Sequence, residues 1–262
     1  KWDLLDKLGT TKWAKNIHHR LERKVLQKAT VVLTVSKSLA LSLKELGASN
    51  VKCITNGYDE DDRVLEPIKK SEKFVLSHIG LLNEMRNPDA LWEALVELCE
   101  TNDEFAKDLE IRLGGIVSES IRAQIINTEC LKSATTFIDY IPHNEVYKEY
   151  AKASVLLLIL NNTNNSKWIL PSKLYEYIYS GQPILMLGEI KSDAAEIVAS
   201  FEHNCVVDFN EKEGLKAGIL AFYQQYKNNQ TIRSVNNVSK YSRKNLTVEL
   251  AEIMNDIIKI IE

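Results

Sequence analysis

Proline and glycine are scarce in this chain, five and ten of 262 residues, which excludes collagen-like repeats and Pro/Gly-rich disorder. Cysteine is scarce too. Cys53, Cys99, Cys130 and Cys205 are widely scattered, with no CxxC pair and no histidine at metal-ligand spacing. Neither a zinc site nor a redox motif is indicated, and reduced thiols in a cytoplasmic protein fit best. An excess of one charge is also missing: 33 Lys and Arg against 36 Asp and Glu give a formal net charge of −3, which does not favour general nucleic-acid binding. Long apolar runs are absent. The longest, residues 155–160, falls far short of the ~20 residues that span a bilayer, and no signal peptide opens the chain.

What is present is the composition of a soluble globular protein, 45% hydrophobic and 26% charged, long enough for one large domain or one and a half ordinary ones. Charge is nevertheless uneven. Residues 1–30 carry Lys1, Lys7, Lys12, Lys15, Arg20, Arg23, Lys24 and Lys28 against Asp3, Asp6 and Glu22, a net +5. Such a segment could face an anionic lipid surface, giving peripheral membrane contact, or a polyphosphate; it equally fits a solvated helix face.

Trp13, Ile17, Leu21 and Val25 recur every four residues and predict an amphipathic helix ending near Lys28. The β-branched run Thr30-Val-Val-Leu-Thr-Val35 follows, then a short helix over 38–46 stopped by Gly47 and a strand over 51–55 closed by Asn56-Gly57. Residues 59–72 have acids, lysines and little apolar periodicity, which reads as a linker. From Lys73 strands and helices alternate: strand 73–79, helix 88–101, strand 109–113, helix 118–128, strand 135–139, helix 144–152, strand 154–160, helix 172–180, strand 183–187, helix 192–200, strand 204–208 and helix 211–227. Strict alternation predicts right-handed βαβ units and a doubly wound, Rossmann-like parallel sheet. Continuously apolar strands such as 155–160 and 184–187 fit burial on both faces. A polar spacer and a last helix over about 240–261 complete the chain.

In an open α/β sheet, ligands sit beyond the carboxyl ends of the strands, where helix N-termini present free N–H groups to anions. After strand 73–79 comes His78-Ile-Gly80-Leu-Leu-Asn-Glu-Met-Arg86-Asn-Pro88. Gly80 lets the backbone approach a ligand and Arg86 could fork onto phosphate oxygens; alone, the pattern also fits an exposed arginine with no ligand. After strand 154–160 comes Trp168-Ile-Leu-Pro171-Ser172-Lys173-Leu-Tyr-Glu176-Tyr-Ile-Tyr-Ser-Gly181-Gln-Pro183. Pro171 and Ser172 suit a helix start, which puts free N–H groups and Lys173 at one mouth fit for a diphosphate. Glu176 follows one turn on, about 6 Å along the axis, within reach of ribose hydroxyls. The bland alternative makes Glu176 an early-turn acid and Lys173 a surface residue.

Taken in order, these motifs resemble the C-terminal portion of family-4-type glycosyltransferases of the GT-B fold. Glu22 with Ala29-Thr-Val-Val-Leu-Thr-Val-Ser36, Gly47 and Val51-Lys-Cys-Ile-Thr-Asn-Gly-Tyr-Asp59 is similar to the end of that family's acceptor domain. Ile79-Gly-Leu-Leu with Arg86-Asn-Pro resembles the opening of its donor domain, and Pro171-Ser-Lys-Leu-Tyr-Glu-Tyr-Ile-Tyr-Ser-Gly-Gln-Pro-Ile184 its donor signature. The resemblance implies a remnant of the N-terminal domain over 1–58, a hinge over 59–72, a nucleotide-sugar-binding domain over 73–228, and a segment 229–262 packing back toward the first unit. It implies about 130 or more residues ahead of Lys1, and little turnover without them.

The resemblance further implies retaining sugar transfer from a nucleotide diphosphosugar to a glycan or lipid-linked acceptor. No cofactor and no metal are expected, since Arg86 and Lys173 neutralise the leaving diphosphate. Gly80 and Ser172 would contact the donor, Glu176 would hold the ribose, and the backbone at Tyr140, Ile141 and Pro142 would meet the base. Cytoplasmic glycan or polysaccharide synthesis is the family's common setting. One departure stands out: many members carry a second glutamate eight residues before the ribose-binding one, and here that position is Trp168. A sugar-nucleotide epimerase of related fold and a non-catalytic donor-binding scaffold remain as alternatives. Asp59-Glu-Asp-Asp62 contains a literal DxD, but its place after an Asn-Gly turn in a linker reads as a solvated charge cluster.

Overall fold

The computed structural model describes residues 9–60, 71–163, 165–228 and 237–261. Residues 61–70, which include most of the expected linker, lie outside them, as do Lys1, Asp3, Asp6 and Lys7.

The first unit runs α1 (Lys12–Lys28), β1 (Val32–Thr34), α2 (Lys37–Glu45) and β2 (Val51–Cys53). Thr11 caps α1, its hydroxyl accepting from the Ala14 amide at 3.2 Å, and Ser36 caps α2 by accepting from Leu39. β1 and β2 pair in parallel, Val32 opposite Val51. The stripe Trp13, Leu21 and Val25 that predicts α1 is exposed, Trp13 at 74%, and the helix buries Leu26 instead. Period marks the helix correctly, but not the face it turns inward.

The second unit runs β3 (Phe74–Ile79), α3 (Asp89–Thr101), α4 (Asp103–Asp108), β4 (Leu109–Gly114), α5 (Glu119–Ile126), α6 (Glu129–Ala134), β5 (Thr135–Ile138), α7 (Val146–Lys152), β6 (Val155–Ile159), α8 (Ser172–Ser180), β7 (Ile184–Leu187), α9 (Asp193–Ala199), β8 (Cys205–Val207) and α10 (Lys212–Lys227), followed by α11 (Arg243–Ile261). Its six strands form one parallel sheet in the order β5-β4-β3-β6-β7-β8. This is the expected doubly wound α/β architecture. α4 and α6 are the additions: each is six residues long and buries one large side chain, Phe105 or Leu131, too few positions to show a period.

Every residue of β3, β6 and β7 is buried, because helices cover both faces. One core packs Leu76, Ile111 and Leu157 against Leu91, Leu95 and Phe222; the other packs Leu156, Leu158 and Met186 against Leu174, Tyr177 and Val198. The direction of winding reverses between β3 and β6. That switch point opens a crevice at the carboxyl ends of those two strands.

The first unit and the segment before α11 touch this domain through defined bonds. Asn56 donates its side-chain amide to the Leu170 carbonyl at 3.1 Å, and Asp193 accepts from the Ser38 amide and hydroxyl at 2.8 and 2.6 Å. Tyr58 donates to the Tyr241 carbonyl at 3.1 Å and accepts from the Arg243 amide at 2.9 Å, so the start of α11 lies against residues 57–59.

Candidate functional site

Two loops flank the switch point: the turn after β3, from Gly80 to Arg86, and the segment from the end of β6 to α8. The first leaves the strand through Gly80 at φ +152°, whose amide donates to the Gly114 carbonyl at 2.8 Å. Gly115, at φ +99°, sits so close that a Cβ there would come within 2.7 Å of the Gly80 carbonyl oxygen. Backbone packed this tightly requires glycine. Leu82, fully buried, pins the turn, with its amide donating to Ile116 at 2.8 Å and its carbonyl accepting from Ser118 at 2.9 Å.

Arg86 ends a short 3-10 turn, Glu84–Arg86. Its Nε donates to the Asn161 side-chain oxygen and an NH to the Leu81 carbonyl at 3.3 Å. Asn161 is at the end of β6, and the neighbouring Asn162 amide donates to the Met85 carbonyl at 3.0 Å. The two flanking loops are thus bonded to each other at Arg86. Burial pulls the Arg86 pKa below the ordinary guanidinium value, yet an arginine stays charged at neutral pH. Arg86 also forms part of the wall of a cleft lined by Asn162, Leu187, Phe209 and Asn210. Lys173 is not among its walls.

α8 starts at Ser172 after Pro171, which is extended at φ −70° and makes no side-chain cap. Helix geometry leaves the first N–H groups without intrahelical partners. Lys173 and Glu176 occupy the first turn and a half and pair with each other, Nζ to Oε2 at 3.1 Å. Both bond to the hydroxyl of Tyr150 from α7: Lys173 donates to it at 2.8 Å, and it donates to Glu176 at 2.6 Å. Tyr150 is fully buried, and burial with the Glu176 and Tyr177 charges nearby drives its pKa far up, so the phenol is a permanent donor. In the bare site Lys173 is therefore paired, not a lone cation.

The two halves meet beneath the Gly80 turn. Tyr177 of α8, 1% exposed, accepts from the Ile79 amide at 3.2 Å, which fixes α8 against the end of β3. Arg86 and Lys173 both act electrostatically on the ring of His78, two residues before Gly80. Gly80, Arg86, Ser172, Lys173 and Glu176 are thus brought together at the carboxyl end of the sheet. Ile141 is half-buried, its Cδ1 within 2.6 Å of where a Cβ on Gly114 would lie. The Ile141 side chain thus packs at the end of β4, while the Tyr140 side chain is 81% exposed. Trp168 ends the 3-10 turn Ser166–Trp168, and Glu189 accepts from the buried Ser166 hydroxyl of that turn at 2.8 Å.

The sequence pattern did not point to Tyr150, Asn161, Tyr177 or His78. A histidine in an otherwise apolar strand buried on both faces was the one available signal. Among the described residues no cluster of three or more His, Cys, Asp or Glu side chains could hold a metal ion, and no helix is long and apolar enough to cross a membrane. Asp59 of the literal DxD lies 3.7 Å from Arg243; Asp61 and Asp62 lie outside the described residues.

No protein-family model and no curated protein matches the sequence. Solved structures do. A glycosyltransferase from Rickettsia africae superposes with a TM-score of 0.72 at 14% identity, over 93% of this chain and 68% of that one. Anabaena HepE in complex with UDP-glucose gives 0.67 at 15% identity over 92% and 68%, and sucrose-phosphate synthase from Thermosynechococcus elongatus gives 0.67 at 12% identity over 99% and 67%. The chain spans about two thirds of the length of each. The architecture is that of the GT-B glycosyltransferases.

Proposed function

We propose that this GT-B chain is the donor-binding part of a glycosyltransferase that moves a sugar from a nucleotide diphosphosugar, with retention and without a metal. The observation that carries this reading is the cation pair. Arg86, bonded to the end of β6, and Lys173, on the first turn of α8, flank the Gly80 turn at the sheet's switch point. Anions belong there on two grounds, helix N–H groups and fixed positive charge. HepE, of similar architecture, carries UDP-glucose, a ligand of this chemistry.

In the reaction, negative charge grows on the leaving diphosphate while the anomeric carbon becomes oxocarbenium-like. Arg86 and Lys173, partly desolvated and beside the leaving group, stabilise that charge. Lys173 would exchange its contact with Glu176 for a phosphate oxygen. Glu176 would then keep the Tyr150 hydroxyl and accept from a ribose hydroxyl. The backbone of Tyr140 and Ile141 would meet the base. The acceptor would be a glycan or a lipid-linked glycan.

The test is turnover of UDP-sugars by the whole protein that carries this chain, with Lys173→Ala and Glu176→Ala each expected to lower kcat/KM on the order of a hundredfold. Wild-type rates in both variants would refute the assignment. Sugar released at the full rate with no acceptor present would identify a hydrolase or epimerase instead.

A further inference from the structure

The diphosphate reading leaves one buried group at this site unused. His78 is 5% exposed, and its Nδ1 lies 3.0 Å from the Leu157 carbonyl oxygen. A carbonyl only accepts, so Nδ1 carries the proton and Nε2 presents a lone pair. That Nε2 is buried and has no hydrogen-bond partner. It faces the Gly80 turn: a Cβ built on Gly80 would meet Nε2 at 3.7 Å and, apart from the adjoining residues Ile79 and Leu81, no other atom within 4 Å. The charges that act most on the ring are Arg86 from the turn and Lys173 from α8, both cations. The carboxylates of those two elements are engaged elsewhere, Glu176 with Tyr150 and Lys173 and Glu84 with the Ser120 hydroxyl. On the sheet, β4 sets Leu113 beside His78 and β6 supplies the Leu157 carbonyl.

The geometry points to His78 as a third diphosphate-binding group: when a diphosphate occupies the space over Gly80, Nε2 takes a proton from solvent and donates it as a hydrogen bond to a phosphate oxygen. This rests on the donor reading above. Burial above all holds the ring neutral, with its pKa lowered to about 4; the Leu157 and Leu81 carbonyls pull the other way, and Arg86 and Lys173 add to the lowering. A diphosphate between the same cations offsets their field and offers Nε2 an acceptor, and both effects favour the charged ring. A neutral Nε2 facing phosphate oxygens would set lone pair against lone pair. Protonation and binding are therefore coupled, and the same coupling tunes affinity to pH: where the empty ring is neutral and the occupied ring charged, affinity falls up to about tenfold for each pH unit of rise.

The experiment is a pH titration of the histidine ring signals by NMR on the whole protein, with and without saturating UDP. The His78 resonance is assigned with His78→Gln or, if that variant does not fold, by removing His18, His19, His143 and His203 in turn. The expected result is a midpoint near pH 4 in the empty protein that rises by about two pH units or more with UDP, equivalent to about a hundredfold change in relative affinity for the two ring states. Saturation by UDP with an unmoved midpoint overturns the role of His78 and leaves the donor site standing. Failure of UDP to bind overturns both. As a second readout, the ratio of UDP affinities of wild type and His78→Gln should fall from pH 5 to pH 7; a constant ratio counts against the proposal.

Discussion

The Tyr150 hydroxyl is the atom on which the first turn of α8 is organised, because it accepts from Lys173 and donates to Glu176 at once. Tyr150→Phe keeps the ring, which packs edge-on against Tyr147 and Tyr177, and removes only that bridge. The fold should lose about 2–3 kcal/mol, the net worth of two hydrogen bonds to charged partners that keep their contact with each other. Activity should suffer as well, about tenfold in kcat/KM, because Glu176 and Lys173 lose the contact that holds them for the donor. A Tyr150→Phe enzyme with unchanged kcat/KM would make Tyr150 purely structural. Gly115 carries the opposite kind of constraint. A Cβ there would press on the Gly80 carbonyl, and φ +99° strains any side chain, so Gly115→Ala should cost about 1–3 kcal/mol in a urea melt and also weaken UDP binding, since the Gly80 turn must shift. Arg86, Lys173 and Glu176 were legible as candidates because each follows a strand in an ordered motif. Tyr150 and His78 were not, since their roles come from a neighbour distant in the chain: Glu176 is 26 residues from Tyr150, and Leu157 is 79 from His78.

At the level of elements, β3, β6 and β7 were legible to within a residue because burial on both faces writes them as largely apolar runs, while β4, β5 and β8, only partly buried, were legible from their place in the strand–helix alternation. The exposed stripe of α1 was not, since period reports a helix and leaves open which face finds a partner. Equally hidden was the way α2 and α9 share one acid. Asp193, 8% exposed, opens α9 and also accepts from the amide and hydroxyl of Ser38 in the first turn of α2. It therefore sits at two helix N-termini, where a carboxylate is favoured by dipole and by unsatisfied N–H groups alike. Lys37 and Glu196 pair at 2.6 Å beside it, but both are largely exposed and solvent screens their attraction. Asp193→Ala should thus destabilise the protein by about 1–2 kcal/mol and Lys37→Ala by little. Asp193→Asn, which keeps an acceptor without the charge, should fall between wild type and Ala; urea midpoints for the three variants order these effects, and equal midpoints for wild type and Asp193→Ala would show that the contact adds nothing.

Across the whole molecule, the buried imidazole at the switch point ties stability to pH. The His78 pKa is about 4 in the fold against an ordinary 6.5, so between those values the unfolded chain binds a proton that the folded chain does not. Stability therefore rises with pH through that window. The contribution of a neutral His78 is fully present above about pH 6.5, is lost progressively as pH falls toward 4, and changes no further below that. A depression of this size in a buried ring corresponds to about 3 kcal/mol. Carboxylates also titrate at the acid end, so the quantity to read is a difference: wild type should lose about 3 kcal/mol more than His78→Gln between pH 7 and pH 4, measured by urea unfolding at several pH values. Parallel curves would mean that the ring is charged or solvated in the fold. Saturating UDP should shrink the gap from the acid side, because a ligand that binds only the folded state adds stability by mass action and, with His78 charged in the complex, adds more of it at low pH than at high.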